Sequence, residues 1–99
     1  MIHLDDYVVD TLLRDLVGHD HRPTCFLVYL WLFAEFARNG KPVACSYHDL
    51  AEALGVSKSS AQAAVAWLVR RKLLSATRAN ATATPVYVVH KPWLARKSR

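Results

Sequence analysis

Apolar residues recur along the first forty positions at the spacing of helices. In LDDYVVDTLLRDLVG, Leu4, Tyr7, Val8, Leu12, Leu16 and Val17 fall near one face, which predicts an amphipathic helix over residues 4–18. Its acidic first turn suits the positive end of a helix dipole, and Gly18 is the expected stop. HDHR reads as a polar loop. Pro23 then opens a second predicted helix, with FLVYLWLFAEFA as its body and Asn39-Gly40 as its end. That body is apolar nearly all round, so it is expected at the centre of the core or with one face buried in a partner.

The pattern changes after Gly40. VAC, residues 43–45, is long enough for one short strand. Ser46 has the chemistry of a helix cap for YHDLAEAL, with Asp49 placed to complete a capping box. Gly55 ends this third helix, and Ser57 caps a fourth over about residues 58–71. Its inward positions are expected at Ala61, Ala64, Val65 and Leu68, with Leu73 beyond them. LLSATR and PVYVVH then read as two strands around the turn ANATAT. KPWLARKSR is a basic tail, expected to be disordered apart from Trp93 pinning it to the domain. With no repeat or linker, the chain is expected to form one domain over 1–99: a helical pair (1–40), a core (43–90) and the tail (91–99).

Composition narrows the class. Ninety-nine residues suffice for one hydrophobic core, and 53% apolar content is too high for a disordered chain. The longest apolar run, Cys25 to Ala34, is half the ~20 residues that span a bilayer. No secretory pattern follows Met1, so a cytoplasmic protein without membrane contact is expected. Cys25 and Cys45 stand in apolar surroundings with no CxxC spacing, which points to two buried thiols rather than a disulfide or zinc site. Charge is strongly segregated. Up to residue 52 there are eight carboxylates against four basic side chains, a net −4; beyond it there are nine basic side chains and no acidic one, a net +9. A surface that faces a polyanion requires such an absence, because each carboxylate would repel phosphate.

The segment between the third and fourth helices carries the chemistry. In Leu50-Ala51-x-x-Leu54-Gly55-Val56-Ser57, Ala51 is small enough for the next helix to cross closely, and Leu50, Leu54 and Val56 wedge the pair. Gly55 permits the positive-φ turn that sets their angle. SYHDLAEALGVSKSSAQAAVAWLVRRKLLSATR, with PVYVV after it, resembles the winged helix-turn-helix domain of bacterial transcription regulators and replication initiators, over about residues 43–90. The resemblance implies a mainly α fold with a small β-hairpin wing, a three- to four-helix core and a two- to three-stranded antiparallel sheet.

It also implies double-stranded DNA as partner, with the helix at about 58–71 in the major groove. On that carry-over Ser57, Lys58, Ser59, Gln62, Ala63, Ala66 and Trp67 start or line the outward face. Lys58 can reach phosphate or guanine, Gln62 can pair with adenine, and the serines can bond phosphate or base. Arg70, Arg71 and Lys72 either complement the helix dipole or flank the groove on phosphates. Arg78, in the wing's first strand, suits phosphate or minor-groove contact. The chain departs from the family where arginine or lysine is common and it has Ala63, Ala66 and Trp67, and where glycine is common and it has Lys72, so the helix is expected to end differently there.

Three placements are open for Trp67: in the core against the N-terminal helices, as a dimer anchor, or against DNA sugars. Asp15, His19, Asp20 and His21 have metal-ligand chemistry, but the expected break at Gly18 scatters them, and no metal or cofactor is expected. No Ser-His-Asp order, carboxylate pair or phosphate loop is present, so no catalysis is expected, and a small-molecule effector is not indicated. The leading expectation is a DNA-binding transcription regulator, with a homodimer left open. The alternatives are a winged-helix protein-interaction module docking through Ala63, Ala66 and Trp67, and a plasmid or phage replication accessory protein that uses the same physics.

Overall fold

A computed structural model describes residues 2–97, with side chains as far as Leu94. The elements run in the order π1 (Val8–Leu12), π2 (Arg14–His19), α1 (Pro23–Asn39), β1 (Val43–Ala44), α2 (Tyr47–Leu54), α3 (Lys58–Arg70), β2 (Leu74–Thr77), β3 (Val86–Val89) and α4 (Pro92–Lys97). The chain is mainly helical with a small three-stranded antiparallel sheet, a layout compatible with helices plus a wing.

The N-terminal helix departs from the expected α form. It is wound with i→i+5 bonds, among them Leu13 N–H to the Val8 carbonyl and Asp20 N–H to the Asp15 carbonyl at 2.7 Å. Such winding is uncommon beyond a single turn. Val8, Leu12 and Leu16, each four residues apart, form the buried row, with Tyr7 and Val17 beside it; Leu4 precedes the helix and is exposed. Gly18 is not the stop. The helix passes through it to His19 and turns only at His21, whose φ is 54°.

Pro23 opens α1 as its fixed φ allows, and Gly40 closes it at φ 68°. Cys25, Val28, Tyr29, Leu32 and Phe33 face inward, and the Tyr29 hydroxyl donates to the His90 carbonyl at 2.9 Å. The helix is the central element, as its composition requires, but Leu27 on its far side stays 43% exposed. Both thiols are free and buried.

α2, the turn at Gly55 and α3 form largely as their local chemistry dictates, except that the Asp49 side chain makes no return bond to Ser46. The Ser46 hydroxyl accepts from Asp49 N–H at 3.0 Å, while the Asp49 carboxylate lies 3.6 Å from His48 Nδ1. At the end of α2, Gly55 takes φ 70° and Val56 N–H reaches back to the Ala51 carbonyl at 3.0 Å. α3 ends by the same device. Lys72 N–H bonds the Val69 carbonyl at 3.0 Å and Leu73 N–H bonds the Leu68 carbonyl at 2.9 Å, with Lys72 at φ 62°. This double bond pattern is the left-handed helix stop that glycine normally serves. Lysine therefore adopts the glycine conformation, against the expectation that it would end the helix differently. The physical reason lies in the two residues after it. Leu73 and Leu74 are 3% and 2% exposed, and the left-handed turn leads the chain directly into this burial.

In the sheet, β3 lies between β1 and β2, with Val43 opposite Tyr87 and Leu74 opposite Val89. One continuous cluster draws from π1, π2, α1, α2, α3, the sheet and Trp93. The tail departs from expectation at its start. Residues 92–97 are helical, and Trp93 is buried, stacked on Tyr7 at 4.6 Å and donating its indole N–H to Asp5 at 3.2 Å. Lys91 joins it by an ion pair to Asp5 at 3.4 Å. The side chains of Arg96, Lys97 and Arg99 lie outside the described residues.

Candidate nucleic-acid interface

α3 begins at Ser57, whose hydroxyl accepts from Ser60 N–H at 3.1 Å and contacts the hydroxyls of Ser59 and Ser60 at 3.2 and 2.8 Å. The cap thus ties Ser57 and Ser59 into a local network while leaving both exposed. Ala61, Ala64, Val65 and Leu68 point inward and are 0–3% exposed, as their spacing requires. The small residues let α1 approach until Cys25 Sγ lies 3.9 Å from the Ala64 carbonyl oxygen. The outward face carries Lys58, Ser59, Gln62, Ala63, Ala66 and Arg70, all exposed, together with Val69 at 40%. Lys58 and Arg70 stand twelve residues apart, about 18 Å along the axis. That exceeds the ~12 Å width of a major groove. Lys58 and Arg70 thus mark the two ends of an exposed face whose centre is Ala63 and Ala66.

Trp67 does not share this face. Its ring turns toward the loop before α1, its indole N–H donates to Asp20 at 3.1 Å, and the Arg22 guanidinium lies 4.0 Å from the ring centroid. Arg70 approaches the same ring at 5.6 Å. Of the three placements, the packing against the N-terminal elements is the one observed. Asp20 is the hub: its side chain is only 4% exposed, with His19 Nδ1 at 3.1 Å on one oxygen and Trp67 and Arg71 Nη1 (3.5 Å) on the other. Burial alone would raise its pKa. The hydrogen bonds from His19 and Trp67, together with the charge of Arg71, outweigh that and hold the carboxyl below its ordinary value. Arg71 also lies 3.8 Å from Asp15, so it is turned back onto the protein rather than outward.

Lys72 is exposed beyond the α3 stop. Arg78 lies just past β2, which ends at Thr77, and so is a loop residue rather than a strand residue. Its guanidinium donates to the Ala81 carbonyl at 3.2 Å and sits 5.3 Å from the Tyr47 ring centroid, folded over α2 but exposed. The turn between β2 and β3 is closed by Asn80, whose side-chain oxygen accepts from both the amide and the hydroxyl of Thr82 at 3.0 Å. It offers no charge.

The segregated charges therefore meet in space. Asp5 takes Lys91, and Asp15 and Asp20 take Arg71. Lys58, Arg70, Lys72 and Arg78 form no ion pair among the described residues. Arg22, read in sequence only as part of a polar loop, joins their region through Trp67; nothing local marked it, because its partner is 45 positions away.

Other chemistry is sparse. Asp20 is engaged on both oxygens, by His19 on one and by Trp67 and Arg71 on the other. His48, Asp49 and Glu52 bring their ligand atoms within 4.8 Å of one another, but all three are exposed and His48 already faces both carboxylates as a surface pair. Ser75 and His90 are bonded at 2.5 Å, unanticipated in sequence; His90 N–H also donates to the Leu73 carbonyl, so the contact clamps β2 to the end of β3. No helix among the described residues is long and apolar enough to cross a membrane. Compared with models of protein families, with curated proteins and with solved structures, the chain matches none.

Proposed function

We propose that the protein is a winged helix-turn-helix DNA-binding protein that holds duplex DNA through α3, chiefly by its phosphates, as a regulator or replication accessory. The observation that carries this reading is the outward face of α3. It is free of carboxylates, begins at Lys58 and ends at Arg70, and the acids nearest its C-terminal end, Asp15 and Asp20, face Arg71. Lys72 and Arg78 extend the cationic surface to the helix stop and the wing. Gln62 is the one long polar side chain placed for a base edge, so the reading gives strong backbone affinity and little discrimination among sequences.

The protein-docking alternative draws on Ala63, Ala66 and Val69, which make the centre of this face smooth and apolar. It loses its anchor in Trp67, whose ring is turned inward onto Arg22 and Asp20. Selection of bound duplexes from a random pool at two salt concentrations separates the readings. Retention at low salt without an enriched motif is expected. An enriched motif that survives high salt would show base readout, and no retention at either salt would favour docking to protein.

A further inference from the structure

We infer that the N-terminal helix is a self-association surface, and that two copies of the chain pack antiparallel across Leu13. Val8, Leu12 and Leu16 serve the core, but the adjacent row does so only through Val17, which is half-buried against it: Val9 is 49% and Leu13 38% exposed. These residues line a shallow groove of about 630 Å³ with Asp10, Arg14 and Gly18. Three observations point to a second copy as the occupant. First, Asp10 and Arg14 stand beside the apolar row with opposite charge, and neither forms an ion pair among the described residues. A two-fold axis at Leu13 sets Val9 against the partner's Val17 and brings Asp10 within two residues of the level of the partner's Arg14, within reach of its long side chain, and Arg14 likewise of the partner's Asp10. The surface is complementary to itself, as an isologous interface must be.

Second, Gly18 has neither a positive φ nor any atom within 4 Å of the place a Cβ would occupy. Glycine weakens a helix, and no contact among the described residues requires it there. A helix from a second copy, approaching the groove closely, would require it. Third, the face lies on the segment whose Asp15 and Asp20 grip α3 through Arg71 and Trp67. Pairing here leaves the outward face of α3 free and fixes two such faces relative to one another. Such pairing requires nothing of what α3 binds.

Sedimentation equilibrium of the full chain without DNA tests it. A monomer–dimer equilibrium is expected between about 1 µM and 1 mM, the range of a small interface. Leu13→Asp, at an exposed position, is expected to weaken it at least about tenfold with an unchanged circular dichroism spectrum, since a buried unpaired charge opposes association. Asp10→Arg sets like charges across the axis, and Arg14→Asp does the same with the opposite sign. Each alone is expected to be monomeric, and an equimolar mixture of the two is expected to restore the dimer, because every cross-pair then becomes attractive. A wild-type chain monomeric throughout, a dimer indifferent to Leu13→Asp, or a mixture that stays monomeric would overturn the proposal.

Discussion

Lys72 offers the sharpest test of how α3 is terminated. Its φ of 62° places a residue with a Cβ in the region that costs L-amino acids about 1–2 kcal/mol. Lys72→Gly removes that strain, and the two bonds of the helix stop, to the Val69 and Leu68 carbonyls, are untouched because they use backbone alone. Glycine also adds unfolded-state freedom worth roughly 0.4–1 kcal/mol. The net expectation is a gain of about 0.5–1 kcal/mol, or roughly 2–8 °C in the thermal midpoint of a domain this size. Lys72→Ala is the control: it removes the same charge and keeps the Cβ, so its stability should stay near wild type. Gly55→Ala is the mirror experiment at the equivalent position of α2, where nothing crowds the Cβ: the strain at φ 70°, about 1–2 kcal/mol, less the roughly 0.4–1 kcal/mol of unfolded-state freedom removed, should leave a net loss of about 0.5–1 kcal/mol. Urea unfolding followed by circular dichroism gives all three. If Lys72→Gly is no more stable than Lys72→Ala, the left-handed stop and the role given to the burial of Leu73 and Leu74 are both wrong.

Two buried tyrosines should respond oppositely to loss of the hydroxyl. Tyr29→Phe forfeits the bond to the His90 carbonyl and should cost about 1 kcal/mol, whereas the Tyr87 hydroxyl has no partner among the described residues, so Tyr87→Phe should be neutral or stabilising by about 1 kcal/mol in urea unfolding. Equal losses for both would contradict the hydrogen-bond assignment. Asp20→Asn should cost about 1–3 kcal/mol near neutral pH, because it removes the charge that Arg71 faces. The Asp20 pKa is lowered in the folded chain, so its stabilisation is present above the ordinary carboxylate value of about 4 and is lost as pH falls through the folded value. The gap between wild type and Asp20→Asn should therefore close on acidification below about pH 4; a gap constant from pH 2 to 7 would refute the role given to the carboxylate.

What could be read from sequence was local. Ser46, Gly55 and Ser57 act on bonds within four residues, so the two helices of the motif and their turn derive directly from residue type. The period of Ala61, Ala64, Val65 and Leu68 reports burial because one helix face is a short-range property. The remainder depends on pairs far apart in the chain. Trp67 meets Asp20 across 47 positions and Trp93 meets Asp5 across 88, and no spacing rule reaches that far. This is why sequence left Arg71 open between the helix dipole and phosphate and did not show its carboxylate partners, and why it suggested that Trp93 pins the tail without showing that Asp5 receives it. Lys72 misled for a related reason. Its intrinsic preference opposes φ 62°, and the burial of two leucines outweighs a cost of about 1–2 kcal/mol.

The DNA reading stands or falls on whether Lys58, Arg70, Lys72 and Arg78 neutralise phosphates. Fluorescence anisotropy of a labelled random-sequence duplex, titrated with protein from 50 to 200 mM salt, measures this directly. Four contacts give a slope of log affinity against log salt near −3.6, a loss of roughly 150-fold over that range. Lys58→Ala and Arg70→Ala should each make the slope shallower by about 0.9, while Arg71→Ala, at a side chain held by Asp15 and Asp20, should leave it unchanged. A duplex affinity that ignores salt, or a slope the same in wild type, Lys58→Ala and Arg70→Ala, would contradict the assignment of this face to DNA.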